Sequence, residues 1–195
     1  STPEAVQIFN RFATYNGSNP YSAPGMLSLI PHLEQNQGTF YPTGGMISIP
    51  NALVALAEKK GVKFVLNSTV KEIVVKDKKI CGITSENGFV SADLVVSNVD
   101  SYFTYKQLLG DAASAKKILK NERSSSAYIF YWGVKKSFSE LHLHNIFFSA
   151  SYEEEFHHLF VKKQFFHDPT IYINVTSKME SGQAPEGCEN WFVMV

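Results

Sequence analysis

Residues able to do chemistry are scattered along this chain, and most combinations of them fail on spacing. His142, His144, His157, His158 and His167 lie near Glu153, Glu154 and Glu155. His142 and His144 share one face of a strand and could chelate a metal, yet no further ligand follows at a recognisable spacing, and no metal is expected. Ser124, Ser125 and Ser126 form a turn-like run without the G-x-S-x-G context that exposes a nucleophile beside a base, so hydrolase chemistry is unsupported. Cys81 and Cys188 are too few for a disulfide framework or a zinc site. What remains is a backbone signal at Pro42-Thr43-Gly44-Gly45-Met46 and a small polar pair, Ser97-Asn98.

Thr43, Gly44 and Gly45 remove side chains where a loop becomes a helix. The main chain can approach a cofactor closely there with the first helical N–H groups free; the plain alternative is a tight loop. Ser97 and Asn98 follow Leu94-Val95-Val96, a continuous apolar run of the kind found in parallel strands buried on both faces. Ligands of open α/β sheets bind beyond the carboxyl ends of such strands, which makes the pair candidate site residues.

The elements that must hold these residues are well punctuated. The loop leads into an amphipathic helix whose Ile49, Leu53, Leu56 and Ala57 form one stripe, packed on a core and closed by Gly61. Val62 to Leu66 reads as a strand. Val70 to Val75 and Ile80 to Thr84 read as strands joined at Asp77-Lys78-Lys79, and Asn87-Gly88 supplies a type I′ turn before Phe89 and Val90. Upstream, Ser1 and Glu4 fit a capping box with Pro3 in the first turn, and Ala5, Phe9, Phe12 and Ala13 form a packing stripe that ends at Asn16-Gly17. Met26, Leu27, Leu29, Ile30 and Leu33 form a short apolar helix, kinked or ended near Pro31, that serves as a core helix or lines a lipophilic tunnel. Downstream, Asp100 caps a helix running to Gly110, and a second helix takes Ala112 to Lys120. Residues 124–134 read as a long strand with bulk on both faces, joined by Ile146-Phe147-Phe148 and Ile171 to Val175 in a second antiparallel sheet.

Bulk properties bound the answer. A chain of 195 residues with 44% apolar content can bury a core, and 18 basic residues balance 18 acidic ones. No global field draws in nucleic acid or an anionic membrane, and no apolar run reaches membrane-spanning length. The three N-x-S/T matches at Asn16, Asn67 and Asn174 read as chance, and a reducing, cytoplasmic setting is the simplest expectation. The chain opens without methionine and stops inside the apolar run Trp191 to Val195, as a piece of a longer protein would.

Thr43-Gly44-Gly45-Met46, Lys60-Gly61-Val62, Val70 with Ile73, Ile80-Cys81-Gly82-Ile83, Asn87-Gly88, Ala92-Asp93-Leu94-Val95-Val96 and Ser97-Asn98-Val99-Asp100 follow one another in an order that resembles the middle of a phytoene desaturase. That group belongs to the FAD-dependent amine oxidase and protoporphyrinogen oxidase superfamily. Ser22-Ala23-Pro24 and Ala184-Pro185-Glu186-Gly187 resemble the same group at the flanks. Val99 departs from it, since alanine is more usual there.

The resemblance implies an α+β (α/β) piece of a two-domain flavoprotein. Residues 1–39 and 101–195 would supply substrate-domain helices and sheet, and 40–100 part of the FAD-binding domain. It also implies desaturation of a carotenoid, with hydride passed to flavin and a proton lost from the adjacent carbon. The protein's part would be to bind, align and dry a hydrophobic polyene. Gly44 and Gly45 would lie near the isoalloxazine or tunnel mouth, with Thr43 and Met46 beside them among the cofactor-binding residues, Val70 would be the adenine-side backbone contact, and Asn98 would stand at the strand end beside FAD. Peripheral membrane association follows from the resemblance alone, and catalytic side chains and oligomeric state do not follow at all. No G-x-G-x-x-G occurs in the chain, so the 195 residues by themselves are expected to be inactive. The alternatives are a related flavoprotein acting on an amine, a porphyrinogen or a retinoid, and a lipophile-binding module without redox chemistry.

Overall fold

The computed structural model describes residues 2–121 and 125–195. In chain order the helices are α1 (Pro3–Arg11), α2 (Leu29–Gln37), α3 (Ser48–Lys59), α4 (Ser101–Phe103), α5 (Ala112–Ile118) and α6 (Tyr152–His157). The strands are β1 (Val70–Lys76), β2 (Lys79–Ser85), β3 (Gly88–Ser91), β4 (Ile129–Val134), β5 (His144–Phe147), β6 (Ile171–Asn174) and β7 (Glu189–Met194). They divide into two compact units, Ser1–Leu56 with Ser124–Val195, and Ala57–Arg123. The boundaries expected from sequence, at 39/40 and 100/101, divide the chain by function instead.

The first unit is built on a four-stranded antiparallel sheet of order β4-β7-β6-β5. β7 lies inside it because its apolar run can be paired on both edges. Tyr128 extends the β4 edge by exchanging both backbone hydrogen bonds with Val195, at 2.8 and 2.9 Å. The long strand expected over 124–134 is therefore a ladder from Tyr128 to Val134, and Ser124 lies outside the described residues. Val175, Ile173 and Val193 form the core, with Ile171 and Trp191 packed on it.

Helices frame this sheet. Thr2, whose hydroxyl accepts from Ala5 N at 3.4 Å, caps α1; the capping box expected at Ser1 lies outside the described residues. A 3-10 turn continues α1 from Phe12 to Asn16 and ends at Gly17 in the left-handed region, φ 64°. Pro31 neither kinks nor ends its helix, because it occupies the first turn of α2, where a proline's missing N–H has no intrahelical acceptor to lose.

The second unit is a three-stranded meander, β1-β2-β3, followed by α4 and α5. Its left-handed turn pair is Asp77 and Lys78, φ 50° and 63°, inside the two-residue connection between the paired Lys76 and Lys79. That is the type I′ position expected at Asn87-Gly88, where only Gly88 has positive φ, 105°. There the Ser85 hydroxyl accepts from Asn87 N at 3.2 Å, a side-chain turn that replaces the I′ geometry. Asp100 caps α4 as expected, its carboxylate accepting from Tyr102 N at 2.8 Å.

Two expected strands and one expected packing face are overturned. The segments Val62 to Leu66 and Leu94 to Val96 lie in no ladder, and Leu94 and Val96 are 77% and 87% exposed. α3 buries none of its residues, although Gly61 closes it and Val62 N bonds Ala57 O, as in a Schellman cap. Apolar periodicity says which face would be buried, but burial needs a partner surface, and none covers these faces among the described residues.

Candidate functional site

The Thr43-Gly44-Gly45-Met46 loop is a type II turn, closed by Gly45 N donating to Pro42 O at 2.9 Å, with Gly44 at φ 83° where that turn requires a positive value. Its free backbone is already used. Gly44 N donates to Glu180 Oε1 at 2.8 Å, and a Cβ on Gly45 would come within 2.7 Å of Gln183 Nε2. The smallness of these residues thus serves a close approach by the chain's own side chains, while Met46 is exposed. Val70 opens β1 opposite Ser85, and exposed Asn98 precedes the α4 cap. Thr43 to Met46 belong to the first unit and Val70 and Asn98 to the second, so neither unit brings all six candidates together.

A different site is formed within the first unit. A cavity of about 770 Å³ opens between α1, α6 and the β5–β6 side of the sheet, inside the range typical of small-molecule sites. On α1 and its 3-10 extension, Ile8, Arg11, Phe12 and Tyr15 recur at the i, i+3, i+4, i+7 spacing that aligns side chains on one helical face. This face meets the cavity; the stripe read from sequence included the exposed Phe9 and gave the helix a packing role. Opposite, Tyr152 and Phe156 of α6 have ring centres 4.8 Å apart, and Phe156 stacks on Phe160 at 5.7 Å. Ile146 and Phe148 line the sheet side. The wall is mostly aromatic and aliphatic, suited to an apolar ligand that water would otherwise surround.

Its polar groups are few, and most are satisfied. Glu155 is buried but accepts from Thr170 N at 2.8 Å, Thr170 Oγ1 at 2.6 Å and Ser149 Oγ at 2.8 Å. Tyr15 donates its hydroxyl to Glu34 Oε1 at 3.0 Å, and Tyr172 Oη lies 2.7 Å from His144 Nδ1. His144 is thereby occupied in a hydrogen bond with a phenol, and among the described residues no group of three His, Cys, Asp or Glu side chains could hold a metal.

Tyr152 is the exception. It is 5% exposed, and the one group near enough to answer its hydroxyl is the Arg11 guanidinium, outside good hydrogen-bond geometry, which leaves the buried phenol poorly satisfied. Burial pushes this phenol up to about 12, opposed by the nearby positive charge of Arg11. Burial also raises Tyr15 and Tyr172, and Arg11 again opposes. The guanidinium thus sits among three cavity tyrosines, and no carboxylate of the described residues stands within 4.0 Å of it.

The model of a family described as flavin containing amine oxidoreductase matches residues 1–132. A 1-hydroxycarotenoid 3,4-desaturase from Flavobacterium sp. (strain P99-3) is 53% identical over 195 residues, covering 100% of this chain and 40% of its own length. A 4,4'-diapolycopene oxygenase from Methylomonas sp is 37% identical over 191 residues, covering 97% of this chain and 38% of its own length. A phytoene desaturase from Fusarium fujikuroi is 34% identical over 197 residues, covering 100% and 35%. A solved oxidoreductase from Methanosarcina mazei has a TM-score of 0.67 at 17% identity, covering 97% of this chain and 43% of its own, and shares the fold. The chain therefore spans about two fifths of the length of the curated relatives it matches.

Proposed function

Because the chain belongs to the flavin containing amine oxidoreductase family, we propose that the whole protein is an FAD-dependent desaturase acting on a carotenoid. The observation that carries this reading is the aromatic-walled cavity of the first unit, found in a chain 53% identical to a 1-hydroxycarotenoid 3,4-desaturase. A bound flavin supplies the hydride acceptor. The chain's own residues hold the polyene: Phe12, Phe156 and Phe160 give it flat apolar surface and exclude water, so that the reacting carbons stay aligned. The first unit is on this reading the substrate side.

Thr43, Gly44, Gly45, Met46, Val70 and Asn98 remain the residues we assign to the cofactor side. Positive φ at Gly44 and Gly45 supports close approach there, and Gly44 is the weakest direct donor because Glu180 already takes its N–H. Peripheral membrane contact is part of the proposal and is supported by the solubility of polyenes in bilayers. Among the described residues no helix is long and apolar enough to cross a membrane. A cytoplasmic setting is proposed with it, in keeping with the free thiols of Cys81 and Cys188.

The test is the visible absorbance of the purified full-length protein, followed by anaerobic addition of carotenoid. Bound flavin that bleaches as the carotenoid gains a double bond supports the reading. A full-length protein that stays colourless after FAD is supplied overturns it and leaves a lipophile-binding module. Products that gain oxygen without a new double bond would place the protein with the diapolycopene oxygenase.

A further inference from the structure

Arg11 is out of place in the cavity that surrounds it. A guanidinium offers five N–H donors and no acceptor, and its neighbours on the wall include Ile8, Phe12, Ile146 and Phe156. The carboxylates on the same wall are committed elsewhere, Glu155 to Ser149 and Thr170 and Glu34 to Tyr15. Beside the guanidinium stands the buried Tyr152, whose hydroxyl can occupy one of the five donors and leaves the others unanswered. A purely hydrocarbon ligand would strip water from the cation and give its donors nothing in return, which is unfavourable. A ligand with an oxygen at one end would answer those donors while its chain filled the apolar wall.

We propose that Arg11 anchors an oxygen-bearing end group of an otherwise hydrocarbon substrate and so fixes which way round the substrate lies. The inference rests on the reading of the cavity as a polyene site and names the feature of the polyene that the cavity selects. A hydroxyl, a keto group and a carboxylate share the needed chemistry, an acceptor oxygen. The fork geometry of arginine matters as well as its charge, because it can hold one oxygen with two donors at once.

The test uses the full-length protein with its flavin and polyenes of equal length ending in a hydrocarbon, a tertiary hydroxyl or a carboxylate. Binding is followed by quenching of protein fluorescence. The expected result is that wild-type protein binds one or both oxygen-ended polyenes about tenfold or more tighter than the hydrocarbon. Arg11→Met should erase that preference while affinity for the hydrocarbon stays within about twofold. Arg11→Lys, which keeps the charge and loses the fork, decides the matter if the methionine variant does not fold: it should weaken the preference for the hydroxyl-ended polyene more than that for the carboxylate. A preference that survives either substitution unchanged overturns the anchor, as does a wild-type protein that binds polyenes without regard to their ends. A wild-type protein that binds no polyene overturns the cavity reading itself, and the anchor with it.

Discussion

Lys178 Nζ lies 2.6 Å from Glu189 Oε1, and Glu189, only 2% exposed, opens the interior strand β7. Burial alone would raise this carboxyl, but Lys178, Phe138 N, Trp191 Nε1 and Ser137 Oγ all donate to it and bring it down to about 2 from 4.5. A carboxyl lowered on folding stabilises the folded state above its unfolded value and loses that contribution as pH falls. The loss should therefore run from pH 4.5 to about 2. Glu189→Gln should destabilise the first unit by about 3 kcal/mol at neutral pH and flatten this acid limb, as read from urea midpoints across pH. Equal acid sensitivity in variant and wild type would contradict the assignment.

Gly82 sits at φ 148°, and a Cβ there would lie 2.1 Å from Val90 O and 2.9 Å from Ser91 Cα. Both obstacles are backbone, so a side chain can enter only by prising β2 from β3. Gly82→Ala should cost about 3 kcal/mol and speed amide exchange across residues 70–91, with little change in the first unit. Hydrogen exchange read by mass spectrometry localises the effect.

Thr170 gives Glu155 two of its three hydrogen bonds, one from its backbone N–H and one from its hydroxyl. Thr170→Val keeps the shape and removes the hydroxyl, leaving a buried carboxylate short of a donor. A loss of about 2 kcal/mol is expected in denaturant unfolding, and Ser149→Ala should cost a similar amount by the same mechanism.

Tyr152→Phe removes a buried hydroxyl whose only near partner, the Arg11 guanidinium, stands outside good hydrogen-bond geometry. Unlike most core substitutions it should be neutral or stabilise by up to about 1 kcal/mol, read as an unchanged or raised melting temperature. A marked loss of stability would mean that Arg11 holds this hydroxyl in a full hydrogen bond.

Ile146→Trp adds bulk to the sheet side of the cavity. On the proposed function it should raise KM for the polyene by about tenfold, while flavin content and melting temperature stay near the wild-type values. Unchanged steady-state kinetics would place the polyene elsewhere.

Local chemistry was legible in the sequence wherever it closes within a few residues. Asp100 as a cap, Gly61 past the end of α3 and Gly17 past the end of the α1 extension were readable because each answers orphan groups in its own turn. The strands over 70–76, 79–85 and 171–174 were readable from alternation and short connections. The order of weak motifs from Thr43 to Asp100 was enough to indicate the family, because order and spacing combine what single motifs cannot carry. The turn at Asp77-Lys78 was found as a turn but given no type, and the left-handed pair was placed at Asn87-Gly88 instead, since at Asp77-Lys78 it is imposed by the register of Lys76 with Lys79 and no glycine announces it.

What the tertiary structure decided are relationships between residues far apart in the chain. Arg11 and Tyr152 meet at one cavity although well over a hundred positions separate them, and Gly44 finds its partner at Glu180. No local periodicity encodes such distances. The same reason explains Val62 to Leu66 and Leu94 to Val96, whose composition is that of strands but which lie in no ladder. Composition makes a segment fit to be a strand; only a neighbouring backbone at hydrogen-bonding distance makes it one.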